Sequence, residues 1–148
     1  VVREFKCCSG ICNCLACPGG CFSADLTVEA PPGNVVGSVQ QRATCFTSSS
    51  FIVLDQMGKQ TMDIEGPCCC RLFTCADKVY QVRSVNGLDV GEIRKTWAGC
   101  CAESLTDRDN FSLTFPFDLS TTTKATLIGA TFLIDFMSFE STNTSNNA

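Results

Sequence analysis

The chain has 148 residues and no histidine. That absence removes histidine-based general acid–base catalysis, the Ser-His-Asp triad and most zinc-enzyme sites together. Phenylalanine aside, aromatic residues are nearly missing, with one tryptophan and one tyrosine. Positive charge is also scarce. Lys and Arg number 11 against 15 Asp and Glu, a formal charge of −4, so global attraction to nucleic acid or anionic lipid is not expected. The opening, Val1-Val2-Arg3-Glu4-Phe5-Lys6, has no apolar signal region and no initiator methionine, and the chain is expected to begin inside a longer one. No apolar run reaches the ~20 residues of a comfortable membrane span.

Cysteine, by contrast, is abundant, at 13 residues. The odd count and the missing secretory signal favour reduced thiols facing the cytosol over a disulfide framework. Six cysteines fall in Cys7–Cys21, CCSGICNCLACPGGC, which Pro18-Gly19-Gly20 marks as loop. Three readings of this loop stand. Zinc needs two spaced pairs; Cys14 and Cys17 form one, and Cys7, Cys8, Cys12 or Cys21 could supply another. Thioester acylation suits closely spaced cysteines in an exposed, glycine-rich loop near a membrane. The third is a set of free thiols. Cys68 to Cys70, Cys75, Cys100 and Cys101 read as small buried residues.

Most of the chain has the pattern of short strands. Asp25–Ala30 alternates, Pro31-Pro32-Gly33 turns, and Val35–Gln41 returns. Phe51–Leu54 and Gln60–Glu65 flank a turn at Gln56–Lys59. Arg71–Thr74 is a further short candidate. Val79–Val85 and Leu88–Trp97 flank Asn86-Gly87, the signal of a type I′ hairpin. Phe111, Leu113 and Phe115 alternate. Strands at roughly ten-residue spacing indicate a sandwich or barrel. The tail from Ser141 is polar and expected to be disordered.

One stretch differs. Ala125–Phe139, ATLIGATFLIDFMSF, is apolar all round when wound as a helix, with Lys124 and Glu140 as its fences. It rises roughly 22 Å at 1.5 Å per residue, short of a ~30 Å hydrocarbon core, so length favours a protein-buried helix over a membrane segment. A curved sheet wrapped round it would bury every side. Gly129 is expected to mark close approach of a strand backbone, and Phe132 and Phe136 to fill the core. Asp135 within the run is expected to join a buried hydrogen-bond network; a role in an ion pathway is the sharper alternative.

Two further groups carry possible chemistry. Asp107, Asp109 and Asp118 stand at positions 1, 3 and 12 of a twelve-residue segment, the spacing of an EF-hand. The candidate calcium segment then takes in Phe111, Leu113 and Phe115, which carry no side-chain oxygen, and Ser112 stands where a glycine belongs. The competing interpretation is a polar loop running into a strand whose Phe111, Leu113 and Phe115 face the core. Any calcium affinity is expected to be weak. Arg94, Lys95 and Trp97 form a small basic-aromatic patch, too few charges for nucleic acid.

These pieces together resemble the phospholipid scramblase family. The resemblance rests on EAPPGNVVGSV at Glu29–Val39, GPCCC at Gly66–Cys70, VGEIRKTWAG at Val90–Gly99, TDRDNFSLTFPFDL at Thr106–Leu119 and KATLIGATFLIDFMSFE at Lys124–Glu140. It implies a tubby-like β-barrel wrapped round a central C-terminal helix. It also implies ATP-independent, calcium-responsive, bidirectional movement of phospholipids between leaflets, by a protein on the cytoplasmic face of the plasma membrane. Palmitoylation on the cysteine-rich loop is implied, with Cys12, Cys14, Cys17 and Cys21 as candidates in a looser version of the family motif. Zinc ranks behind calcium and palmitate. Several early strands of the family domain are absent, so residues 1–140 are expected to be its C-terminal part, with open edges and a helix uncovered on one side. The competing function is a membrane-anchored tubby-like module that binds lipid or protein without moving lipid. No covalent catalysis is implied.

Overall fold

The computed structural model of the chain describes residues 2–4, 24–42, 49–67, 76–97 and 110–138, with side chains from residue 24 to 136. The expected strand at Arg71–Thr74, the cysteine-rich loop and the polar tail lie outside the described residues. Mainly β-structure is present, with a single C-terminal helix among the described residues.

Eight strands pair antiparallel in strict sequence order: β1 Val2–Glu4, β2 Asp25–Glu29, β3 Val35–Arg42, β4 Ser50–Asp55, β5 Gln60–Glu65, β6 Lys78–Ser84, β7 Asp89–Thr96 and β8 Asn110–Thr114. The result is a curled half-barrel rather than a closed one. Among the described residues β1 and β8 are its two edges and do not meet. The period-2 alternation sets the inner face. Leu26, Val39, Val53 and Met62 form one cross-strand row and Gln41, Phe51, Ile64 and Val82 the next, and all eight are buried. Tyr80 and Ile93, facing each other across β6 and β7, are also buried.

The turns are built as their residues demand, with one difference from expectation. A two-residue type I′ turn would centre on Asn86-Gly87. Instead the Gly87 amide donates to Ser84 O at 2.8 Å and the Ser84 amide to Leu88 O at 2.8 Å, with Gly87 at φ 79°. This is a three-residue loop whose last position takes the left-handed conformation that suits glycine. Asp55–Lys59 repeats the pattern, with Gly58 at φ 75°.

Helix α1 spans Thr121–Ser138 and starts four residues earlier than its apolar run. Lys124 therefore lies inside the first turns rather than outside them. Ser120 supplies the cap: its Oγ accepts the Thr123 amide at 3.2 Å, and its carbonyl accepts the Lys124 amide at 2.9 Å. The helix packs chiefly on β3 and β2, less on β4, and touches β8. Gly37 on β3 makes this seat possible. A Cβ there would collide with the Thr126 side chain and stand 2.8 Å from Leu54 O.

Leu127, Ala130, Leu133 and Ile134 are fully enclosed against the strands. Ile128, Phe132 and Phe136, four residues apart, are exposed. One side of α1 is therefore uncovered, as an incomplete barrel requires. Three expectations are corrected. Phe132 is 49% exposed, only half withdrawn from water, and Phe136 is 38% exposed, so neither ring is enclosed in the core. Gly129 does sit at a close approach, but what crowds it is the side chain of Val28, not strand backbone. No helix among the described residues is long and apolar enough to cross a membrane.

Candidate functional site

Helix geometry puts two rows side by side on the uncovered half of α1, since residues three and four apart are neighbours. Ile128, Phe132 and Phe136 form the apolar row. Beside it run Lys124, Thr131 and Asp135, each partly buried. Thr131 returns its hydroxyl to Leu127 O at 3.1 Å, the usual way for a helical threonine to satisfy itself on an apolar face.

Lys124 is held where the chain turns into the helix. Its ammonium donates to Phe117 O at 2.7 Å and lies 5.4 and 5.3 Å from the ring centres of Phe115 and Phe117. Cation–π attraction and a charge-assisted hydrogen bond thus fix one side chain at one place. Asp118 beside it is exposed.

The candidate calcium segment does not wrap. Its positions 110–114 form β8, an extended strand in regular register with β7 from Thr96↔Asn110 to Glu92↔Thr114. Phe111, Leu113 and Phe115 point inward and pack against the core, while Asn110, Ser112 and Thr114 point outward. The strand advances about 13 Å over 110–114 at ~3.3 Å per residue. It therefore separates Asp118 from the start of the segment, and an EF-hand loop closed by Asp118 is incompatible with this strand. Asp107 and Asp109 lie outside the described residues. Among the described residues no cluster of three His, Cys, Asp or Glu side chains is placed to hold a metal.

Cys12, Cys14, Cys17 and Cys21 also lie outside the described residues, but topology says where their loop attaches. Every cysteine of the chain falls between β1 and β2, β3 and β4, β5 and β6, or β7 and β8. In an antiparallel meander those four connections leave the sheet at one end. The remaining connections, including β8 to α1, leave at the other.

The basic-aromatic patch is split between the two faces of β7. Lys95 points inward and is buried, opposite buried Lys78 on β6, with its ammonium 5.9 Å from the Phe111 ring. Arg94 points outward and pairs with Glu92 at 2.9 Å and Asp77 at 3.8 Å. Trp97 donates its backbone amide to Asp77 Oδ1. The inward pair of lysines was legible only as a period-2 position whose side chain should have been apolar.

The convex face carries further ion pairs. Arg42 meets Asp63 at 2.9 Å, and Arg83 bridges Glu65 at 2.8 Å and Asp89 at 3.1 Å. The hydrogen bond that Arg83 donates to Asp89 and the negative charge of Glu65 hold the guanidinium above its ordinary range, so it stays charged. Shallow grooves of about 490 and 370 Å³ open here, with Glu65 and Arg83 in the lining of both.

Comparison with known proteins places these elements in context. The family model for Scramblase matches residues 1–141. Phospholipid scramblase 2 of Homo sapiens is 40% identical over 134 residues, covering 88% of this chain and 43% of that protein. Phospholipid scramblase family member 5 of Homo sapiens is 39% identical over 131 residues, covering 87% and 46%. Phospholipid scramblase 1 of Homo sapiens is 38% identical over 133 residues, covering 88% and 40%. The chain thus spans about two-fifths of the length of these relatives. No solved structure matches significantly.

Proposed function

The chain belongs to the Scramblase family, and from that premise we propose that it acts on phospholipid membranes, moving phospholipids in both directions between leaflets without ATP. Flip-flop makes and breaks no covalent bond. Its barrier is the transfer of a polar head group through hydrocarbon. The observation that carries the proposal is the uncovered side of α1, where a polar row and an apolar row lie side by side. Acyl chains lie along Ile128, Phe132 and Phe136 while the head group follows Lys124, Thr131 and Asp135. The chain thereby offers both halves of a lipid a surface of matching polarity.

A second reading is a membrane-anchored tubby-like module that binds lipid or a protein and moves nothing. It is favoured by the firm seating of α1 on β2, β3 and β4, which a spanning role would have to undo. Reconstitution into vesicles with a fluorescent lipid and external dithionite separates the two. Loss of the protected inner-leaflet signal supports translocation. Binding with full protection supports the module and overturns the first reading.

The finer properties belong to the same proposal. Calcium responsiveness is assigned to Asp107 and Asp109, just before β8, without Asp118 as a closing ligand. Stable attachment to the cytoplasmic face of the plasma membrane is assigned to palmitate on Cys12, Cys14, Cys17 or Cys21, since one acyl chain anchors only marginally and two anchor stably.

A further inference from the structure

The end of the sheet away from the cysteines carries side chains that its turns do not require. The β2–β3, β4–β5 and β6–β7 turns and the β8–α1 connection all emerge there. The pairing keeps neighbouring tips close to level. Val35 lies two positions beyond the Gly37–Asp55 pair, opposite Met57. Phe117 lies three beyond Glu92–Thr114, opposite Asp89.

Turns select Gly, Pro, Asn, Asp and Ser for conformational reasons, and none of those reasons calls for a large apolar side chain. Yet Phe117 is 97% exposed, Met57 86%, Leu88 67% and Val85 57%. Exposed apolar residues scattered singly need no explanation. Among the described residues, however, the large exposed apolar side chains fall in two places only: this end, where Val35 joins them, and the uncovered side of α1.

Ordered backbone holds these side chains outward. Asp55 Oδ1 accepts the Met57 and Lys59 amides at 2.8 and 3.0 Å. The Ser84–Leu88 bonds close the turn bearing Val85 and Leu88. Lys124 grips Phe117 O, and the Leu119 amide reaches Pro116 O at 3.4 Å.

We propose that this end of the half-barrel docks on a phospholipid bilayer, with Met57, Val85, Leu88 and Phe117 inserted among the head groups and first methylenes. This deepens the membrane reading above, on which it rests, by naming the end of the molecule that makes contact. The apolar groups stand on three separate tips, Val85 and Leu88 sharing one, with Gln56, Asn86 and Asp118 beside them in sequence, so they form no continuous patch for a complementary protein surface. A fluid interface accepts each tip independently.

Charge points the same way. Glu29 and Asp55 accept backbone amides, Asp89 pairs with Arg83, and exposed Lys59 and Asp118 are single charges of opposite sign. No cluster of cations stands among the described residues of this end, so docking needs no anionic lipid and resists added salt. Acylation remains compatible, because Glu4 and Asp25 are paired neighbours and Cys14, midway between them in sequence, can reach roughly 33 Å from that end when extended.

The test uses the 148-residue chain and phosphatidylcholine vesicles with or without brominated acyl chains. Trp97 is a built-in reporter for the far end, about 26 Å along β7 from the tips at ~3.3 Å per residue. Phe117→Trp adds a reporter at the docking end. The expected result is a blue shift and bromine quenching of the new indole, with no quenching of Trp97 in the unsubstituted chain. Met57→Ser combined with Leu88→Ser should weaken vesicle partitioning about tenfold or more at unchanged circular dichroism. Quenching of Trp97 alone would show docking by the other end, overturning this proposal while leaving the membrane function intact. Partitioning indifferent to the tip substitutions also overturns it, as does engagement of these tips by a protein in place of lipid. No vesicle binding by any variant removes both readings.

Discussion

Leu133 and Phe132 are adjacent in sequence and equally apolar, and the half-barrel assigns them opposite energetic roles. Leu133 is fully enclosed between α1 and the sheet, whereas Phe132 is 49% exposed. Leu133→Ala leaves a cavity in a packed interior and should cost about 2–5 kcal/mol. Phe132→Ala removes a ring that is only half withdrawn from water. It should cost about 1 kcal/mol, half of the ~1.5–3 kcal/mol for full burial of a large apolar side chain. At roughly 2–4 °C per kcal/mol for a domain of this size, Leu133→Ala should lower the melting temperature by roughly 4–20 °C and Phe132→Ala by no more than about 4 °C. Thermal unfolding followed by far-ultraviolet circular dichroism on both variants measures the difference. Equal, large losses for the two would mean that both sides of α1 are enclosed, and would refute the open half-barrel.

Gly37→Val should destabilise the fold by roughly 1–3 kcal/mol or more, because its side chain would meet Thr126 and Leu54 O; Gly129→Leu should do the same against Val28, and urea unfolding midpoints would report both. Asp107→Ala should weaken calcium binding measured by calorimetry while Asp118→Ala leaves it unchanged; a loss confined to Asp118→Ala would contradict the separation that β8 imposes. Joint replacement of Cys14, Cys17 and Cys21 by Ser should move the protein from membrane to soluble fraction, and hydroxylamine should do likewise to the unsubstituted protein. Retention on the membrane under both treatments would exclude thioester anchoring.

Much of the architecture follows from local rules and could be read in one dimension. Alternation at Asp25–Glu29, Gln60–Glu65 and Asn110–Thr114 is a property of each strand alone, as is the demand for glycine at positions 58 and 87. The apolar run of α1 marks a helix that must be covered. Boundaries were less legible: Thr121–Lys124 joined the helix because Ser120 caps it, and a run of threonines gives little hint of that. Which hairpin form Asn86-Gly87 adopts depended on pairing across β6 and β7, not on the dipeptide.

The composition and pattern of the chain by themselves determined that it lacks histidine chemistry, that its strands are short and antiparallel, and that one helix is apolar all round. Only the tertiary structure decided which side of that helix is covered. A helix whose Lys124, Thr131 and Asp135 form one narrow polar row, with apolar Ile128 and Phe132 exposed beside it, carries only a weak mark of its buried side, and the choice falls to the strands available, here β2, β3 and β4 with Gly37 beneath Thr126. The same holds for the two ends of the sheet. Residues at Met57, Val85 and Phe117 are far apart in sequence and indifferent to one another locally. The meander brings their turns to a single end and the cysteine-bearing connections to the opposite end, because each antiparallel reversal sends the next connection back the other way.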